Sequence, residues 1–382
     1  MRKEGVFHIA TIGGIPIYLH WTFGLLIIWI VLSALWSSGG DWVYAGWQLL
    51  LVGGLLVSVI LHELGHAFAA AAFQIPTRDI TMYPFGGVAS IEKLPEKPTQ
   101  ELVIALAGPL VNFLIIGVIS AGLFVGGVSW EGDMGYYFGL KRLTGAVYFF
   151  RLAYLNFFLA AFNLLPAFPM DGGRVLRAIL AMRFPYEKAT AIAATVGQVF
   201  AGLFVLLGIF VNVNIILILI GFFVYIAAES EKKAVEGRSA LKGLRARDAI
   251  MVQYPVLPAM ATLQSAIEAL LGSQARSFLI VDPLGQPVGT LSREKLISAL
   301  HQGMPPTTPI TQVMDERLIT VEPDTPLGEV METLQREDVP FILVAEKTGS
   351  TPRLLGLIDA ENIAEYLLIK KAREAFASSI AP

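Results

Sequence analysis

His62, Glu63 and His66 fall in the run His62-Glu63-Leu64-Gly65-His66. On a helix, positions i and i+4 share a face, so the two imidazoles can grip one metal ion while Glu63 flanks them, within reach of a water on that ion. The spacing is weakly specific in a water-soluble chain. Here it interrupts a long apolar stretch, where each ionisable group costs several kcal/mol, so three together point to chemistry. The plainer reading is a polar knot that packs helices through hydrogen bonds.

A catalytic zinc takes three protein ligands and keeps a fourth position open. Cysteine is absent from the chain, so thiolate sites, disulfides and cysteine nucleophiles are excluded. The third ligand must then come from elsewhere in the chain, and intramembrane carboxylates are scarce in it. Asp171, in the segment from Asn163 to Arg174, is the candidate: Pro166 and Pro169 unwind the helix end, and Gly172 and Gly173 permit close backbone approach. Asp171 as a helix N-cap is the alternative. Asp133 falls in a loop on the wrong side.

The elements that carry these residues are read from composition. The chain has 382 residues, 55% hydrophobic and 15% charged, against about 25% charged in an ordinary soluble protein. The deficit lies before about Ala228. Apolar runs near Trp21–Trp36, Trp47–Phe73, Glu101–Val125, Thr144–Leu165, Ala189–Val211 and Val213–Ala228 predict about six membrane spans, with His62 and Glu63 inside the second. No apolar block precedes Trp21, and the first span reads as retained.

An even count puts both termini on one side. Arg2, Lys3, Arg78, Lys93, Lys97, Arg174, Arg177, Arg183, Lys188, Lys232 and Lys233 lie on that side, against Lys141 and Arg142 on the other. The positive-inside bias therefore predicts cytoplasmic termini. Arg78–Ile91 alternates and turns at Tyr83-Pro84-Phe85-Gly86-Gly87, which predicts a hairpin against the membrane helices. Its Gly86–Ile91 strand offers an edge for pairing with an unwound substrate.

Beyond a linker at 229–247, two similar units occupy 248–303 and 311–371, each reading helix, strand, amphipathic helix, strand, turn, strand, helix. The net charge of −3 and the lack of a basic tract exclude a nucleic-acid partner.

Together these residues resemble the site-2 protease family, in the subgroup with paired C-terminal CBS domains. The carrying motifs are His62-Glu63-Leu-Gly-His66 in a span and Asn163…Pro166…Asp171-Gly172-Gly173 about 100 residues later. The implied fold is a polytopic α-helical membrane protein with about six transmembrane helices and a membrane-associated β-hairpin, plus a C-terminal α/β tandem CBS-domain module. The implied domains are a protease domain at 1–228 and CBS domains at 248–303 and 311–371.

The resemblance implies one zinc per chain on His62, His66 and Asp171, with Glu63 as general base and acid. Asn112 of the Ala107-Gly108-Pro109 segment, Asn163, Gly86, Gly87 and the first-span His20 resemble oxyanion or substrate contacts. It also implies a transmembrane protein substrate, such as a membrane-tethered regulator, anti-sigma factor or remnant signal peptide, and residence in the lipid bilayer of the cell (inner) membrane. CBS domains commonly bind adenine nucleotides and pair into dimers. Here Lys295 and Asn362 stand where the ribose-holding aspartates belong, which puts nucleotide binding in doubt and leaves a dimerising module without ligand as the alternative to a regulatory one. The competing classes are a metal transporter and a membrane-helix-binding pseudo-protease that does not cut.

Overall fold

The structure is a computed structural model that describes residues 5–84, 86–91, 97–128, 145–211, 213–273, 275–348 and 351–380. Arg2, Lys3, Phe85, Lys93, Asp133, Lys141, Arg142 and Asn212, which carried parts of the sequence reading, lie outside the described residues. The chain divides into two compact units, Met1–Val235 and Glu236–Pro382.

The first unit opens with β1 (Val6–Ile12) and β2 (Ile15–His20), which the sequence reading did not anticipate. Their turn is Gly13-Gly14 with φ of 58° and 82°, the doubled positive φ that a two-residue antiparallel connection requires. Then follow α1 (Thr22–Ser38), α2 (Trp42–Ala72), β3 (Thr77–Tyr83), β4 (Gly86–Ile91), α3 (Pro98–Val125), α4 (Gly145–Asn163), α5 (Asp171–Ala181), α6 (Tyr186–Phe210) and α7 (Ile215–Ala240). Asp41 starts α2 by accepting the N–H groups of Val43 and Tyr44 at 2.8 and 3.2 Å, the donors that a helix start leaves unpaired.

The expected hairpin is present as β3 and β4, but it is half of a four-stranded sheet in the order β1-β2-β3-β4. β2 and β3 run parallel, with Ile17 opposite Ile80 and Leu19 opposite Met82. Ile15, Ile17, Ile80 and Met82 form a core with Leu64 and Ala67 of α2. The sheet is thereby fixed to the helix that carries the His-Glu-x-x-His run. β4 is an edge strand.

Apolar helices stand at all six expected places. Four of them, α2, α3, α4 and α6, are long and apolar enough to cross a membrane. α1 has 17 residues, about 25 Å of helix against about 30 Å of hydrocarbon, and α7 turns charged from Glu229 onward. Among the described residues, then, four helices are long and apolar enough to cross, and the expected count of about six is not confirmed. The stretch 229–247, expected as a linker, stays helical to Ala240.

In the second unit the two repeats share one plan. The first contains β5 (Val256–Pro258), α8 (Leu263–Gly272), β6 (Ser277–Val281), β7 (Pro287–Ser292) and α9 (Arg293–His301); the second contains β8 (Thr320–Val321), α10 (Leu327–Glu337), β9 (Ile342–Thr348), β10 (Thr351–Ile358) and α11 (Ala360–Ile380). Each sheet joins a parallel pair to an antiparallel pair in the same order. Leu279 of β6 packs with Phe341, Leu343 and Leu357 of the second repeat, so the repeats share a buried seam.

Candidate metal centre

His62 and His66 lie on one face of α2, each 4% exposed. His62 Nε2 and His66 Nε2 are 3.1 Å apart, and Asp171 Oδ2 lies 3.2 Å from the first and 3.1 Å from the second. Among the described residues these three side chains are the group whose ligand atoms converge tightly enough for a metal. The N-cap alternative for Asp171 is set aside. Met170 occupies the cap position of α5, and the Asp171 carboxylate turns to the imidazoles.

Protons at the two imidazoles are fixed by their outer nitrogens. His66 Nδ1 faces the Ile104 carbonyl at 2.7 Å and must donate to it. The His62 ring is held through two asparagines. The Leu152 carbonyl and Ser58 Oγ receive the Asn156 amide N–H groups at 2.8 and 3.0 Å. Asn156 Oδ1 therefore accepts from Asn112 Nδ2 at 2.9 Å, and Asn112 Oδ1 accepts from His62 Nδ1 at 2.5 Å.

In the neutral imidazoles both Nε2 atoms then carry lone pairs, aimed at each other and at a carboxylate oxygen. Three converging lone pairs repel unless a cation lies among them. Zinc bonds of about 2.0–2.1 Å in a tetrahedron separate ligand atoms by about 3.3 Å, close to what these atoms show. The donor set, two imidazoles and one carboxylate with no thiolate, fits zinc.

Glycines make room. A Cβ on Gly108 of α3 would stand 2.7 Å from His62 Nε2 and nearer still to His66 Nε2, in the space between the ligand atoms. A Cβ on Gly65 would meet the Ala107 carbonyl oxygen at 2.9 Å, so Gly65 lets α2 and α3 touch. Gly172 and Gly173 are pressed against the backbone of Leu164–Phe168, which seats the start of α5 and with it Asp171.

Glu63 faces the sheet edge. A Cβ on Gly87 of β4 would lie 2.6 Å from Glu63 Cγ and 2.9 Å from Oε1. Gly86 opens the strand at φ 143°, with open space where its side chain would be. Edge strand, carboxylate and ligand triad thus sit side by side.

Other residues singled out from sequence stand elsewhere. Asn112 is fully buried, with Oδ1 on His62 Nδ1 and one Nδ2 N–H on Asn156 Oδ1, so it orients His62. Asn163 ends α4 half-buried, and its side chain makes no hydrogen bond to another described residue. His20 accepts the Thr22 hydroxyl at 2.7 Å on Nδ1 and lies against the Tyr83 ring, 4.9 Å between centroids. It belongs to the sheet, outside the ligand triad.

Sequence reading passed over Ser58, Asn156 and Glu101. Each is a polar residue in a largely apolar helix, the signal that could have marked them.

The sequence profile of Peptidase family M50 matches residues 50–142 and 140–205, and that of the CBS domain matches 310–369. A zinc metalloprotease of Methanocaldococcus jannaschii is 34% identical over 363 residues, covering 94% of this chain and 96% of that one. A protein of Synechocystis with a provisional zinc-metalloprotease name is 29% identical over 378 residues, covering 94% of each. Among solved structures, a site-2 protease from Methanocaldococcus jannaschii aligns at 38% identity and TM-score 0.42, covering 59% of this chain and 95% of that one. Likeness to a zinc metalloprotease along nearly its whole length, with the M50 profile over the triad, means that this chain belongs to the site-2 protease family of membrane metalloproteases, in the branch with C-terminal CBS domains.

Proposed function

We propose that the chain is an intramembrane zinc metalloendopeptidase that hydrolyses peptide bonds in or near the transmembrane segments of other membrane proteins. The observation that carries this reading is the meeting of two imidazoles of α2, a helix long and apolar enough to cross a membrane, with the Asp171 carboxylate of α5, with Glu63 and a strand edge beside them.

When bound, zinc supplies Lewis acidity, polarising a carbonyl and acidifying a water. The chain's own residues do the rest. Asn112 and Ile104 hold the imidazoles with Nε2 bare. β4 binds an unwound substrate segment by strand pairing, since a helical segment hides its peptide groups in internal hydrogen bonds. Glu63 takes a proton from the attacking water and returns it to the leaving amine nitrogen. His62 stands ten residues before the end of α2, about 15 Å along the helix, so water reaches the site through a polar opening from that end.

The reading extends to a place in the cell membrane with both termini cytoplasmic, on the charge asymmetry of the loops. The paired repeats act as a regulatory or dimerising module. Lys295 Nζ pairs with Asp315 Oδ2 at 3.1 Å, and Asn362 sits on the N-terminal turn of α11, its N–H donated to Asp359 Oδ1 at 2.7 Å.

Co-expression with single-span membrane proteins, followed by mass spectrometry of the fragments, tests the proposal. Fragments ending inside or within a few residues of the hydrocarbon segment support it. Cuts confined to water-exposed loops would contradict it.

A further inference from the structure

Six residues beyond Asp171, α5 carries a buried cation that the ligand triad does not use. Arg177 is 1% exposed. Its Nε and Nη2 donate to Glu101 Oε1 of α3 at 2.8 and 2.5 Å, and Nη1 donates to Glu231 of α7. The guanidinium lies over the rings of Phe168 and Tyr186, 5.0 Å from each centroid. Glu101 is also 1% exposed, and its Oε2 is without a partner.

Two carboxylates on different helices therefore share one cation, fully buried on the Glu101 side and partly exposed at Glu231. Without the cation they would repel, and α3 and α7 would part around α5. The places they bracket matter. Glu101 stands one helical turn before Ile104, whose carbonyl holds the His66 ring. Phe168 stands three residues before Asp171 on the segment that Gly172 and Gly173 press against. Arg177 thus ties together the support of one ligand and the mounting of another.

We propose that Arg177 is a positioning residue of the metal centre: bridging Glu101 and Glu231 across Phe168, it holds Asp171 at the distance from His62 and His66 that binds the ion. This rests on the reading of the triad as a zinc site. Tethers of this kind, behind the ligands, change metal affinity by about 10- to 100-fold.

The test is the zinc dissociation constant of the full-length protein in detergent, by competition with a chromogenic chelator. Glu101→Gln/Arg177→Gln removes both buried charges and leaves no lone ion at the Glu101 side. Its affinity is expected to fall about 10- to 100-fold, with Arg177→Lys falling less and Glu231→Gln, at the more exposed arm, least. In an Asp171→Ala background the double substitution is expected to add nothing, because the ligand it positions is gone. An unchanged constant in the double variant, or the same fold loss with and without Asp171, overturns the proposal, the latter pointing to general loosening. Asp171→Ala binding zinc as tightly as the unaltered chain overturns the zinc reading itself.

Discussion

Gly108 presents a bare Cα to His62: a side chain of even one carbon would stand 2.7 Å from His62 Nε2. That carbon would occupy the space in which the ligand atoms converge. Gly108→Ala is therefore expected to abolish stoichiometric zinc while the helices remain, because the added methyl collides with the imidazoles. Elemental analysis beside circular dichroism reads both. Full zinc in a folded Gly108→Ala protein would show that the ion lies elsewhere.

Asn156 tests the relay behind His62. Asn156→Leu leaves Asn112 Nδ2 buried without an acceptor, a loss of about 1–3 kcal/mol for an unsatisfied buried donor. It also frees Asn112 to flip, so that its N–H groups face His62 Nδ1 and the ring turns to the wrong tautomer. Thermal unfolding should shift downward and zinc affinity should fall together. A variant that unfolds earlier yet holds zinc as firmly would confine Asn156 to packing.

Gly86 and Gly87 separate two ways of spoiling the edge strand. A side chain on Gly87 meets Glu63, whereas a side chain on Gly86 finds open space but a backbone at φ 143°. Gly87→Val should reduce cleavage of a membrane-spanning substrate at least about tenfold through a displaced Glu63, with zinc retained. Gly86→Val should act by strain on the strand. Equal, unaltered cleavage by both variants would leave β4 a structural connection.

How far the sequence goes is visible in this contrast. The His-Glu-x-x-His run, the β3–β4 turn and the doubled repeat follow local patterns of spacing and alternation, and the structure has them where expected. β1 and β2 escaped because strands of seven and six residues are too short to register as apolar blocks, although Gly13-Gly14 is a hairpin signal. The tasks of Asn112 and Arg177 depend on partners 44 to 76 residues away. Such pairings arise from helix packing, which no spacing rule reports.

Asp315 gives the repeats an acid limit. Hydrogen bonds from the Arg317 guanidinium, with further support from the Arg317 backbone N–H and Lys295, hold its carboxyl well below the usual carboxylate range. A carboxyl depressed in the folded state stabilises above its unfolded value of about 3.9 and loses that contribution as pH falls through the folded value. Backbone hydrogen bonds of 2.8 Å between Thr290 and Asp315 run in both directions. Hydrogen exchange of these amides in the full chain should quicken below about pH 4. In Asp315→Asn they should exchange faster at neutral pH and respond less to acid. An identical pH response in both proteins would remove the ion pairs as its cause.

The most direct measurement combines cleavage and metal content in one preparation of Glu63→Gln. If Glu63 moves protons while His62, His66 and Asp171 hold zinc, the variant keeps about one zinc per chain and cuts no membrane-spanning substrate. Substantial cleavage by Glu63→Gln, or loss of its zinc together with activity, would contradict that division of labour.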